Sequence, residues 1–331
     1  MDNTKVKRNY AFDFLKVWFI VLIILHHGLV FNKEQLYIAV EVFFIISGYL
    51  LYNTYFFKKK TPLVYLYERI CRLWPKYIII FILILIPHLI KGNLGYSKPY
   101  SIVWEIFMLQ NIGLPGSGGI NYPLWYISVL FVGGSLIYTF LFFLGDKKYI
   151  SYIELIIIFG VYILMYCHNP NTLEQWSYVG SVVYLPFWRG IADMLIGVYI
   201  SSKYNGHTSN IELLKYLDVV MLILVTIAMF SKLSAYFILV VLTIMLLISS
   251  NPSSSLQHLG KNKIIKFLLM HEYTAYLSHA LIIDFFMFFE IANKMPKLLY
   301  GLLLLISVLL FSVVFDFIFN CIENFIKIVR K

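Results

Sequence analysis

The sequence predicts an all-α, polytopic membrane protein of about ten transmembrane helices, with the N- and C-termini cytoplasmic. Three observations carry that prediction. Of the 331 residues, 60% are hydrophobic, 18% aromatic and only 13% charged, with a mean hydropathy of +0.79. Soluble domains are about 45–50% apolar and about 25% charged. Apolar segments recur along the chain, most of them near the roughly 20 residues that cross a bilayer as a helix. Lysine and arginine are distributed unequally between the alternating connections, as the positive-inside bias requires.

The apolar segments run 12–31, 35–57, 75–90, 123–144, 150–168, 181–202, 213–231, 233–250, 267–292 and 298–326. The first is too long for the apolar region of a cleaved signal and has no small-residue cleavage site after it, so it is expected to be retained. A connection of three or four residues makes the first two segments antiparallel neighbours. Pro75 is placed to open the third, after a basic stretch, Thr61–Trp74, in which Arg69 and Arg72 share a helix face. Segment 101–112 is too short to span and is expected at the interface. The stretch 91–122, with Gly95, Gly113, Pro115, Gly116, Gly118 and Gly119, reads as an external loop. With the N-terminus inside, nineteen of the 27 cations fall on the inner side and six on the outer. Lys16 and Arg189 lie within spans. No second soluble domain fits, so residues 1–331 read as one integral membrane domain.

The net charge of +10 is explained by this topology. No basic stripe interleaved with aromatics lies outside the apolar segments, which excludes a nucleic-acid partner. Cys71, Cys167 and Cys321 are scattered and have no ligand spacing, so neither a disulfide framework nor a metal site is implied.

Chemistry is sought among the polar residues inside the spans, where a charge is costly and usually functional. Lys16 and His27 are eleven residues apart, about three helical turns, so they share a face with about 16 Å between them along the axis. Such a pair can hold an anionic carrier at one end and move a proton at the other. It can equally be a lysine that snorkels to the inner surface and a histidine bonded to a neighbouring helix. Glu41 lies at nearly the depth of His27 on the next span, where a carboxylate orients an imidazole base or simply faces outer water. Asp13 is one turn from Lys16 and can pair with it. Arg69 and Arg72 join Lys16 at the inner surface, as a phosphate clamp or as ordinary positive-inside charge. Arg189 and Asp193, at i and i+4, are expected to pair with each other. His279 lies mid-membrane in the ninth segment, as a packing residue or part of a site. Trp125 and Tyr126 stand at the outer end of the fourth, where they stack on a sugar or form an interfacial belt.

These residues together resemble the acyltransferase 3 family of integral membrane acyltransferases, which includes O-acetyltransferases of bacterial surface polysaccharides. Asp13-Phe14-Leu15-Lys16, ten residues, then His27 is similar to the family's opening motif, with lysine in place of arginine; the charge is kept and the planar fork is lost. Val40-Glu41-Val42-Phe43-Phe44-Ile45-Ile46-Ser47-Gly48-Tyr49-Leu50 looks like its second-span signature, with glutamate where aspartate is common. Arg69-Ile70-Cys71-Arg72-Leu73-Trp74-Pro75 is similar to its basic helix. Fainter likenesses are Leu124-Trp125-Tyr126-Ile127, Asp193-Met194-Leu195-Ile196-Gly197 and Tyr276-Leu277-Ser278-His279. The resemblance implies a ten-helix core, no fused extracytoplasmic hydrolase-like domain, and a place in the cell (plasma) membrane. It implies acetyl-CoA as acyl donor and a sugar or polysaccharide hydroxyl as acceptor, with no metal. On that expectation His27 and Glu41 are catalytic, and Lys16, Arg69 and Arg72 bind coenzyme A. Trp125, Tyr126, Arg189 and His279 would contact substrate, while Asp13 and Asp193 serve structural pairing. The rival reading is a carrier or flippase for a lipid-linked sugar, against which stands the lack of inverted-repeat symmetry. An inactive sensor or scaffold is the third.

Overall fold

The computed structural model describes residues 8–31, 34–90, 101–115, 119–145, 147, 149–180, 183–204 and 216–329. The protein is a helical membrane bundle. Its helices are α1 (Tyr10–His27), α2 (Ala39–Lys58), α3 (Pro62–Ile90), α4 (Ser101–Ile106), α5 (Trp125–Leu144) and α6 (Ile150–His168), followed by α7 (Leu185–Tyr204), α8 (Leu217–Met229), α9 (Ala235–Ser249), α10 (Leu256–Gly260), α11 (Lys263–Phe288) and α12 (Lys297–Val329). A two-stranded hairpin, β1 (Tyr178–Val179) with β2 (Val183–Tyr184), pairs antiparallel ahead of α7. Lys91, Lys98, Gly95, Gly116 and Gly118 of the expected external loop, Lys33 of the outer cations, and Lys5, Lys7, Lys148, Lys215, Arg330 and Lys331 of the inner cations lie outside the described residues.

Each of the ten apolar segments contains a helix, and among the described residues six helices have both the length and the apolarity to cross a membrane: Tyr10–His27, Gln35–Lys58, Pro62–Ile90, Tyr122–Leu144, Ile150–His168 and Lys297–Lys327. The other four differ for physical reasons. α8 and α9, at 13 and 15 residues, reach only about 20 Å at 1.5 Å per residue, against a hydrocarbon core of about 30 Å. α7 and α11 have the length but carry ionic groups, Arg189 and Asp193 in one, Glu272 and Asp284 in the other.

Two boundaries differ from expectation. α3 starts at Pro62, with Pro75 and Pro87 inside it. Pro62, not Pro75, takes the first helical position, where a missing N–H costs nothing. An internal proline is tolerated more readily in a membrane helix than in water, and near Pro75 the Tyr273 hydroxyl ties α11 to α3 by donating to the Leu73 carbonyl at 2.8 Å. The connection from α1 to α2 is longer than three or four residues, because α1 ends at His27, with Gly28 as its C-cap, and a 3₁₀ turn, Glu34–Ile38, precedes α2.

Local chemistry fixes α1. Asn9 caps it, its side-chain oxygen accepting from the Ala11 and Phe12 N–H groups at 3.0 and 3.2 Å. The Asn9 amide donates to the Ser249 carbonyl at 3.1 Å, and the Gln257 amide donates to Asn9 at 2.9 Å, tying the start of α1 to the end of α9 and to α10. At the opposite end of the bundle, Tyr37 bonds Thr172 at 2.9 Å and the Asn121 amide donates to the Leu277 carbonyl at 3.1 Å.

The tightest packing joins α2 to α7. A methyl on Gly48 would sit 1.8 Å from the Met194 carbonyl oxygen, and one on Gly197 would sit 1.9 Å from that of Ile45. Only glycine permits this approach, the small-residue contact by which membrane helices close on each other. The two glycines belong to the motifs Val40–Leu50 and Asp193–Gly197, which the fold thus brings face to face.

Candidate active site

His27 stands on the last turn of α1, half-buried, and His279 lies fully buried on α11. Their rings are nearly parallel, with centroids 5.0 Å apart, and His27 Nδ1 is 2.8 Å from His279 Nε2. His279 Nδ1 lies 2.5 Å from the Tyr276 carbonyl oxygen. A carbonyl only accepts, so His279 Nδ1 carries a proton and, in the neutral ring, Nε2 is left as an acceptor. His27 Nδ1–H then donates to it. This hydrogen-bond network assigns the tautomer of both rings and leaves His27 Nε2 with its lone pair, as a general base requires. Tyr122 packs edge-on against His27 at 5.2 Å, and His26 is tilted to one side at 5.4 Å.

The turn that carries Tyr122 is pinned by a buried carboxylate. Glu105, on α4, accepts from the Ile120 and Asn121 N–H groups at 2.6 and 3.4 Å. Burial outweighs these bonds and pushes the Glu105 carboxyl up to about 7.

Glu41 has another partner than the expected one. Its carboxylate lies 3.4 Å from Arg189 Nε, both side chains being almost fully enclosed. Arg189 also donates to the Leu173 carbonyl and sits 4.9 Å over the Trp125 ring. Asp193 accepts from the Tyr162 hydroxyl at 2.5 Å rather than forming the expected ion pair with Arg189. The close approach of α2 to α7 is the reason, since it brings Glu41 to the arginine. Trp125 is accordingly a buried platform for Arg189, packed edge-on to Trp176 at 5.1 Å. Asp13, expected to pair with Lys16, instead holds Arg8 at 2.6 Å, while Lys16 faces Glu272 on α11 at 4.0 Å.

Lys16, Arg69 and Arg72 do come together. They line a cavity of about 610 Å³ with Lys58, Lys76, Glu68 and Glu272, and with Phe43, Tyr126, Tyr273 and Tyr276 among its aromatic walls. Arg69 is buried and aimed: its two terminal nitrogens donate to the Tyr65 hydroxyl at 2.8 Å and the Leu130 carbonyl at 2.9 Å. Lys76 is held by Asp316 of α12 at 2.7 Å. Tyr126, read from sequence as an outer aromatic, faces this cavity and packs against Tyr276 at 5.3 Å. Tyr276 is the shared wall, lining the cavity and lying 5.5 Å from the His279 ring.

Lys16 and His27 therefore sit at different levels of one face of α1, both against α11. The contacts Lys16–Glu272 and His27–His279 advance in the same direction along α1 and α11, so these helices run parallel. Among the described residues, no group of three or more histidine, cysteine or acidic side chains is placed to hold a metal ion. Sequence reasoning missed Lys58, Lys76 and Glu272 as cavity residues, and gave His279 no partner. Nothing in the local sequence links His279 to a residue 252 positions away.

The helical membrane bundle thus holds a basic cavity on one side of an oriented histidine. The chain belongs to the acyltransferase 3 family, whose model, described as an acyltransferase domain, matches residues 9–317. No curated protein and no solved structure matches it.

Proposed function

We propose that the protein is an acyl-CoA-dependent O-acyltransferase of the cell membrane, moving an acetyl group from acetyl-CoA on the cytoplasmic side to a hydroxyl of a cell-surface or lipid-linked sugar. The observation that carries this reading is the basic cavity beneath the His27–His279 pair. Lys16, Arg69 and Arg72 converge on one space and offer charge-assisted bonds to phosphate oxygens. Acetyl-CoA is a substrate here. Its phosphates would rest on these cations, with the pantetheine arm directed past Tyr126 and Tyr276 towards His27.

The chemistry follows from the free Nε2 of His27. As the acceptor oxygen attacks the thioester carbonyl, His27 takes the hydroxyl proton. A C–O bond forms, the C–S bond breaks, and the proton passes to the departing thiolate. His279 supports His27 in this scheme, in place of Glu41, which with Arg189 braces α2 against α7. Ten spans with both ends cytoplasmic complete the reading, with α7, α8, α9 and α11 counted as spans beside the six longer or more apolar helices. The positive-inside bias supports the direction.

The test is thioester consumption by the full-length protein in lipid nanodiscs, followed as free thiol released from acetyl-CoA. Release is expected to depend on added surface glycan. Lys16→Ala is expected to raise the apparent KM for acetyl-CoA with little change in kcat, and Lys16→Arg to restore it. No thiol release with any glycan, or an unchanged KM in Lys16→Ala, would overturn the reading.

A further inference from the structure

Arg69, Arg72 and Lys76 stand at i, i+3 and i+7 of α3, which makes one stripe of the helix, and all three line the basic cavity. The stripe has a direction. Tyr273 meets Leu73, and Asp284 meets His88, so α3 runs parallel to α11 and therefore to α1. Seven residues of helix rise about 10 Å, and by that much Lys76 lies nearer than Arg69 to the His27 end of the bundle.

Lys76 is held by a network that joins three helices. Its ammonium donates to Asp316 Oδ1 of α12 at 2.7 Å, and the nitrogen lies 5.5 Å from the Phe319 ring centroid. Asp316 is buried, and a buried carboxylate needs partners. The same oxygen accepts from the Thr274 hydroxyl at 2.5 Å, and Oδ2 lies 2.6 Å from His271 Nδ1. A carboxylate only accepts, so that ring nitrogen carries a proton. Phe267 in turn packs edge-on against His271 at 5.0 Å. The carboxylate is thus fixed from α11 before it meets the lysine of α3. It takes one of the three N–H donors of the ammonium and keeps the head of a flexible stem at the cavity wall. Without it, the stem is free to snorkel to the nearest water.

We propose that Lys76 is a further donor-binding residue, holding the phosphate next to the pantetheine arm of the acyl donor, and that Asp316 is the residue that positions it. This rests on the acyltransferase reading and deepens it, because the cavity would then select thioesters with a phosphate beside the pantetheine arm over thioesters with none. In acetyl-CoA the adenosine and its 3′-phosphate lie on the far side of the pyrophosphate from the thioester. The cations of the stripe follow that order, with Arg69 and Arg72 farther from His27 and Lys76 nearer.

The experiment uses full-length protein in nanodiscs and three donors: acetyl-CoA, S-acetyl-4′-phosphopantetheine and S-acetylpantetheine, which has no phosphate. Dissociation constants are measured for each. Lys76→Met, which keeps the apolar stem and removes the charge, is expected to weaken the two phosphorylated donors about tenfold, the scale of a lost hydrogen bond between charged groups. It should leave S-acetylpantetheine unchanged, and Lys76→Arg should recover most of the loss. Asp316→Ala is expected to show the same selectivity for phosphate. Asp316→Asn, which keeps an acceptor oxygen, should show it more weakly and reads the same site should Asp316→Ala fold poorly. Equal weakening of all three donors by the Asp316 variants would make Asp316 a purely structural residue and overturn the proposal. So would acetyl-CoA binding that Lys16→Ala weakens and Lys76→Met does not, which would keep the donor site and remove Lys76 from it. Wild-type protein that binds no acetyl-CoA would overturn the donor reading and this proposal together.

Discussion

His26 and His27 are adjacent in sequence yet differ in everything that matters for acid–base work. One residue turns a helix by about 100°, and only His27 reaches His279, at 2.8 Å. His27→Ala is expected to cut ester formation by roughly 10²–10⁴-fold, the usual contribution of a positioned base, with normal membrane insertion. His26→Ala is expected to keep most of the activity, because the bonded relay from the Tyr276 carbonyl through His279 to His27 does not pass through it. Product ester per folded protein, measured for both variants side by side, checks this. Equal losses would remove the relay. Of the site at this scale, the pairing of Lys16 with His27 on one face was legible, since helical spacing alone decides it. The partners were not: Glu41, Arg189 and His279 each found theirs on another helix, and a single sequence carries no signal for which helices touch.

At the scale of elements, the short α4 and the turn after it decide where Tyr122 sits. Glu105 is fully buried, and its carboxyl is pushed up to about 7 in the folded protein, from an ordinary glutamate value near 4.3 when unfolded. A raised acid is favourable below the unfolded value, and its contribution is lost as pH climbs through the folded one. Wild-type stability is therefore expected to fall, relative to Glu105→Gln, between about pH 4.5 and 7, by an amount on the order of 3 kcal/mol. Thermal melts of both proteins at pH 5 and 7.5 in nanodiscs test this, since other titrating groups cancel in the difference. A difference that does not change with pH would mean that Glu105 is solvated. Elements themselves were largely readable, because apolarity is a local property; each of the ten segments contains a helix. Pro75 misled because proline is more permissive inside a membrane helix than in water. The kinship of the Gly48 and Gly197 motifs emerged only when α2 met α7 in space.

For the whole molecule, the fold separates two ends of the bundle. Asn9, Ser249 and Gln257 are bonded together at one, and His27, Tyr37, Thr172 and Asn121 gather at the other. Cysteine replacing Lys147 or Asn262 is expected to be shielded from membrane-impermeant reagent in intact cells, whereas cysteine replacing Asn171 or Asn293 is expected to be labelled. Labelling at Lys147 from outside would invert the orientation and put His27 on the cytoplasmic side. The ten-span reading came from apolar length and the positive-inside bias, which speak to topology but not to packing. Packing is set instead by contacts between helices, such as Glu41 of α2 on Arg189 of α7 and Lys16 of α1 on Glu272 of α11.

The central claim is that a donor bound at one face reaches an acceptor near the other through His27, and sided membranes test it most directly. If the N-terminus is cytoplasmic, inverted vesicles from expressing cells present the Lys16 face outward and enclose the surface glycans. Acetyl-CoA with a radiolabelled acetyl group, added outside, is expected to label lumenal glycan in wild-type vesicles and in those carrying His26→Ala. Vesicles carrying His27→Ala should yield none. Label appearing only when donor and glycan share the outer solution, or appearing equally with His27→Ala, would contradict the account.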